Sequence, residues 1–230
     1  MKAATRPRRG APAKGEASAR ERILATANEL FYSEGIRAIG VDTVVERSGV
    51  SKTSLYRVFE SKDALIAAFA AERDRSFWEW WDHVEAQHAD NPHALLDALL
   101  SGIAERIGRP AYRGCPFLNL VTEFPDQNHP GRFVAKGNKE ELRARLATIV
   151  ARLGVSDPNR VASQLALIIN GAYVTGLFAE PADLRADLVD AVHKLLAPSL
   201  PGRGKDTGKR LVRSRKSPPP ISILPARRIS

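Results

Sequence analysis

Apolar residues recur along the chain at helical spacing. Ser18 and Glu21 stand three apart, as in a capping box. Ile23, Ala27, Leu30 and Phe31 follow at i, i+4, i+7 and i+8 until Gly35 stops the run. This predicts a first helix of about four to five turns. A short segment at 41–48 carries Val41, Val44 and Val45 before Gly49; Ser51 can then cap a third helix whose inner side is Leu55 and Phe59. Ser61 caps a long helix running toward Ala89. Asn91-Pro92 and Asp157-Pro158 each set a capping side chain before a proline at the first helical position. An apolar stripe of Leu95, Leu99, Ile103 and Ile107 ends at Gly108, residues 130–153 end at Gly154, and residues 182–197 end at Pro198. Pro116 marks a further start, with Cys115 at its cap. No alternating run argues for a strand, so the expected fold class is all-α, with about nine helices.

Two short helices joined at a glycine form a helix-turn-helix candidate. Such a unit puts the N-terminal end of its second helix into the DNA major groove, where small hydrogen-bonding residues and a cation are needed. Ser51, Lys52, Thr53 and Ser54 supply them, and Tyr56 and Arg57 lie on the next turn, placed for the DNA backbone.

The stretch "GVDTVVERSGVSKTSLYRVFESKDAL", preceded by "ERILATANELFYSEGIRAI", closely resembles the DNA-binding domain of TetR/AcrR-type transcriptional regulators. The match is dense over residues 20–66 and thin elsewhere. The resemblance implies a homodimer whose three N-terminal helices bind a palindromic operator, and a larger helical C-terminal domain that binds a small ligand and dimerises. By motif match, Thr43, Ser51, Lys52, Thr53, Ser54, Tyr56 and Lys62 fall at DNA-contacting positions. Lys62 also opens the fourth helix, where the helix dipole favours a phosphate. Gly40 departs from the Ser or Thr more usual before the second helix.

Composition narrows the function without changing the fold. Hydrophobic residues make up 43% of the chain, as in ordinary globular proteins, so a wholly disordered chain is excluded. A single cysteine excludes an internal disulfide framework and suits a reducing, cytoplasmic setting; no signal-peptide pattern stands at the N-terminus. Residues 161–179 carry no charge, but Ser163, Gln164, Asn170 and Thr175 favour a buried helix over a membrane span. The net charge of +9 is concentrated at the ends. Residues 1–20 hold six Lys/Arg against one Glu and residues 201–230 hold nine against one Asp, so the stretch between them is mildly acidic. Both tails are expected to be disordered, either resting on a polyanion or simply solvated. The expected organisation is a tail at 1–17, a DNA-binding domain at 18–63, a ligand-binding and dimerisation domain at 64–200, and a second tail at 201–230.

Aromatic residues collect in the C-terminal half. Phe77, Trp78, Trp81, Tyr112, Phe117, Phe124 and Tyr173, with Cys115, Asn119 and Asn170, can line a ligand cavity or pack a core. Leu165, Ile168, Ala172 and Gly176, then Leu188, Val192 and Leu195, recur at three and four with small residues between; a buried intrachain helix would show the same pattern, and the resemblance favours a dimer surface. Enzyme signatures are missing: "HVEAQH" fails the zinc-protease spacing, "GRGKDTGKR" fails the phosphate-loop spacing, and no GxSxG or dinucleotide fingerprint occurs. No cofactor or metal is expected. The expected function is a ligand-responsive regulator, most simply a repressor, released from DNA by a small apolar or aromatic effector. A constitutive DNA-binding protein and a thiol-based sensor at Cys115 are the alternatives.

Overall fold

The computed structural model describes residues 17–197, so most of both basic tails lies outside it. The described residues form nine α-helices and no strand: α1 (Ala19–Glu34), α2 (Val41–Ser48), α3 (Lys52–Val58), α4 (Lys62–Gln87), α5 (Pro92–Ile107), α6 (Pro116–Glu123), α7 (Pro130–Arg152), α8 (Pro158–Thr175) and α9 (Pro181–Leu196). Local chemistry sets most of these ends. The Ser18–Glu21 capping box is complete, and Ser51, Ser61, Asn91 and Asp157 each accept a backbone N–H of the first turn. Cys115 precedes Pro116 as expected but its side chain makes no capping bond. None of these helices is long and apolar enough to cross a membrane.

Two hydrophobic cores share the long helix α4 and, through Phe117 and Leu120, the short helix α6. The first gathers Ile23, Ala27, Leu30 and Phe31 of α1, Val44 of α2 and Leu55 of α3 around Leu65, Ile66, Phe69 and Ala70 of α4. The second fills the space between α5, α7, α8 and α9 and reaches α4 at Trp81. The expected boundary at residue 63 therefore cuts through the first turn of α4, whereas the packing changes partners beyond Ala70.

Polar ties reinforce the seam. Glu123, at the end of α6, accepts the backbone N–H groups of Ile36 (3.2 Å) and Arg37 (2.7 Å) in the α1–α2 turn. Tyr32 of α1 donates its hydroxyl to Gly114 O at 3.0 Å and accepts Arg113 N–H at 3.1 Å. Arg73 of α4 donates to Asn28 O of α1 at 2.9 Å.

Gly49 makes the α2–α3 turn possible. Its φ of 63° is left-handed, and a Cβ there would lie 2.8 Å from the Arg22 guanidinium, which donates to Ser48 O at 2.6 Å. Gly137, by contrast, sits inside α7 with open space around it. Gly49→Ala should lower the unfolding free energy by about 1–2 kcal/mol, and Gly137→Ala should raise it by up to about 1 kcal/mol, both read from denaturant unfolding curves.

Candidate nucleic-acid interface and internal cavity

The N-terminal end of α3 is built as an open polar surface. Ser51 Oγ accepts Ser54 N–H at 3.2 Å, and its hydroxyl donates to Ser54 Oγ at 2.9 Å, so both side chains are held at the helix start. Leu55 and Phe59 face inward, which turns Lys52, Thr53, Tyr56 and Arg57 outward. Tyr56 is 45% exposed, unusual for a tyrosine without a covering partner. Lys52 Nζ reaches Asp42 of α2 at 2.7 Å, and the hydrogen bond it donates to that carboxylate raises the ammonium above lysine's ordinary pKa. It stays charged at any physiological pH. Thr43 is half-buried on α2, beside this surface in sequence.

Lys62 has a partner inside the protein. Its ammonium donates to Ile36 O at 3.0 Å, and burial lowers its pKa against the opposing pull of Asp63 and Glu123. This lysine fastens the α1–α2 turn to α4.

Behind the seam lies a cavity of about 380 Å³. Its wall takes Tyr32 from α1, Arg73, Ser76 and Phe77 from α4, Arg106 from α5, residues of the 109–116 connection, Phe117 from α6, Asn138, Lys139 and Leu142 from α7, and Tyr173 from α8. Five of the sequence candidates belong to it: Phe77, Tyr112, Cys115, Phe117 and Tyr173. Tyr112 donates its hydroxyl to Tyr173 O at 2.6 Å, and burial pushes both phenols up from tyrosine's ordinary pKa.

The other five candidates lie outside the wall, each for a packing reason. Trp78 donates its indole N–H to Asp74 and lies under the Arg145 guanidinium, while Trp81 is fully buried in the second core. Asn119 closes the preceding turn by donating to Arg113 O, and Phe124 stacks on His129. Asn170 stands one bond back, its carbonyl oxygen accepting Lys139 Nζ at 2.8 Å. Sequence reasoning missed Tyr32, Arg73, Arg106, Arg109, Asn138 and Lys139.

Similarity to known proteins agrees with this layout. The family model of bacterial regulatory proteins of the tetR family matches residues 23–69, the span of the first core. A solved TetR transcriptional regulator of Streptomyces avermitilis is 34% identical, with 80% of this chain and 98% of that one covered at a TM-score of 0.70. The chain belongs to the TetR family. A TetR-family regulator of Streptomyces coelicolor superposes with a TM-score of 0.75 at 28% identity, covering 79% of this chain and 89% of that one. The HTH-type transcriptional regulator YjdC of Escherichia coli is 26% identical over 76% of this chain and 90% of its own length. The protein is thus a helix-turn-helix, DNA-binding transcriptional regulator, and its curated relatives are named as regulators.

In this TetR-family chain the stripe expected to face a second subunit is its own core. Leu165, Ala172, Leu188 and Val192 are buried within the single chain. Ile168 and Leu195 are half-buried against the same core. Gly176 is pressed against α5 so closely that a Cβ would meet Ile107 at 2.0 Å. The free apolar side of α8 is a different one, formed by Leu167, Val174 and, just past the helix, Leu177 and Phe178.

Lys52→Ala and Tyr56→Phe should each cost about 1–3 kcal/mol in operator binding without altering thermal unfolding, since both side chains are exposed. Titration of a labelled operator fragment checks this; unchanged affinity in both variants would place the DNA contact elsewhere.

Proposed function

We propose that this TetR-family protein is a repressor that binds a palindromic operator as a homodimer and leaves it when a small effector with an aromatic or apolar body fills the cavity. The position of the cavity carries the reading: Tyr32 of α1 is part of its wall, so a ligand there touches the support of the DNA-binding helices. On this reading Ser51, Lys52, Thr53 and Ser54 meet base edges and phosphates, Thr43, Tyr56 and Arg57 meet the backbone, and Lys62 acts through the turn it fastens. A dimer reads two half-sites one helical turn, about 34–36 Å, apart. A small tilt of α1 to α3 in each subunit is then enough to break register.

The tilt has a physical route. The 109–116 connection lies in the cavity wall, and Gly114 and Arg113 in it are bonded to the Tyr32 hydroxyl. Its continuation, α6, ends at Glu123 on the α1–α2 turn. A ligand that pushes this connection outward pulls on both ties at once.

Dimerisation fits the exposed side of α8. Leu167 and Phe178 are 72% and 83% exposed, and with Gly171 and Val174 they recur at i, i+4, i+7 and i+11. Large apolar side chains on one stripe mark a contact surface, and Gly171 between them allows close approach of a symmetry-related helix.

The test is a footprint upstream of the protein's own start codon, repeated with compounds that raise its melting temperature. Release by at least one such compound is expected; retention with all of them identifies a constitutive binder. Tyr32→Phe should keep operator affinity while lowering the coupling between ligand and DNA by about 1–3 kcal/mol, the worth of the two hydrogen bonds its hydroxyl makes. Leu167→Glu should shift sedimentation from dimer to monomer and, with it, abolish tight operator binding.

A further inference from the structure

Four cations stand in the cavity wall and no carboxylate does. Arg73, Arg106, Arg109 and Lys139 are there without an Asp or Glu among the lining residues. Among the described residues none of the four has a carboxylate within 4 Å. The contrast with Arg145, on the same helix as Lys139, is direct: it is partly buried too, and both Asp82 and Glu141 pair with it.

The partners of the cavity cations are neutral. The Arg106 guanidinium lies over the Trp80 ring at 3.8 Å. Lys139 Nζ bonds Asn170 and sits 3.5 Å from Cys115 Sγ, with the Tyr173 ring 5.3 Å away. Arg73 gives one N–H to a main-chain carbonyl, and its buried Nε has no hydrogen-bond partner. Burial lowers the pKa of Arg73 and of Arg106 from arginine's ordinary value; for Arg73 it outweighs the opposing pull of Glu72, which lies beyond ion-pair distance. Arginine nevertheless remains protonated, so an anion in the cavity compensates the hydration these half-buried groups have lost better than a neutral ligand does.

We infer that the cavity selects an aromatic carboxylate, its anion held among Arg106, Lys139 and Arg73 and its ring packed on Phe77, Phe117 and Tyr173. This rests on the reading of the cavity as the effector site and adds the charge of the ligand to it. A volume of about 380 Å³ falls at the small end of ligand cavities, which suits an acid of one to three rings. Charge-assisted hydrogen bonds from guanidinium and ammonium groups supply the affinity that a neutral isostere lacks.

Calorimetric titration of the full-length protein with benzoate, 2-naphthoate and anthracene-2-carboxylate, each beside its carboxamide, tests the inference. At least one acid should bind about tenfold or more tightly than its amide, as loss of a charge-assisted bond implies. Lys139→Met and Arg106→Gln should weaken acid binding more than amide binding and bring the acid-to-amide ratio toward one; where a variant unfolds, the acid-to-amide ratio of the wild type decides alone. Amides binding as well as acids would overturn the inference and leave the effector cavity standing. Acid preference surviving in both folded variants would place the anion elsewhere and also overturn it. Binding by neither series overturns it too, and the effector reading is then judged by operator release in the footprint.

Discussion

A helix cannot bend cheaply, and α4 belongs to both cores. Its first turns carry Leu65, Ile66 and Phe69 into the packing of the DNA-binding helices, and its later turns carry Trp81 into the packing of α5 and α7. At 26 residues it is about 39 Å long. Any change in how its later turns are seated must therefore appear as a change in the angle of the helix-turn-helix, or be absorbed by breaking a hydrogen-bonded turn. The ties at Tyr32, Arg73 and Glu123 cross the seam beside this helix, so they set which angle is preferred. The cavity lies where those constraints meet.

The fold was largely legible in the sequence because its signals are local. A capping side chain and the N–H it accepts are three residues apart, as at Ser18, Asn91 and Asp157, and a glycine at positive φ ends α1 and α2. The stripe on α8 and α9 is legible as buried, but its spacing fits an intrachain and an intersubunit neighbour alike, and most of it is covered within the chain. Periodicity reports that Leu165 and Leu188 leave water; it carries nothing about whether the covering atoms belong to the same chain. The exposed row of Leu167 and Val174 stands on another side of the same helix, where it could be separated only by knowing which side α5 and α7 already occupy.

The cavity was half legible for a related reason. Aromatic residues signal burial, and some, such as Trp81, are simply core. The cations were overlooked because a lysine or arginine on an amphipathic helix ordinarily reads as solvated. A usable signal did exist. Lys139 stands four residues after Ala135 and three before Leu142, both buried, and Arg106 lies between Ile103 and Ile107. Cations beside an apolar stripe are out of place unless something pairs with them.

That misplacement bears on how such a protein can switch. Driving a two-state equilibrium from one side to the other takes about 5.5 kcal/mol of differential ligand affinity. The hydrogen bonds at Tyr32 and Arg73 contribute on the order of 1 kcal/mol each, too little to supply it together. Half-buried cations with no carboxylate within 4 Å offer more, because each hydrogen bond made to a charged group contributes about 1.5–3 kcal/mol. Under the proposed mechanism, then, the hydrogen bonds specify which movement occurs, and the neutralisation of Arg106, Lys139 and Arg73 provides most of the free energy that drives it.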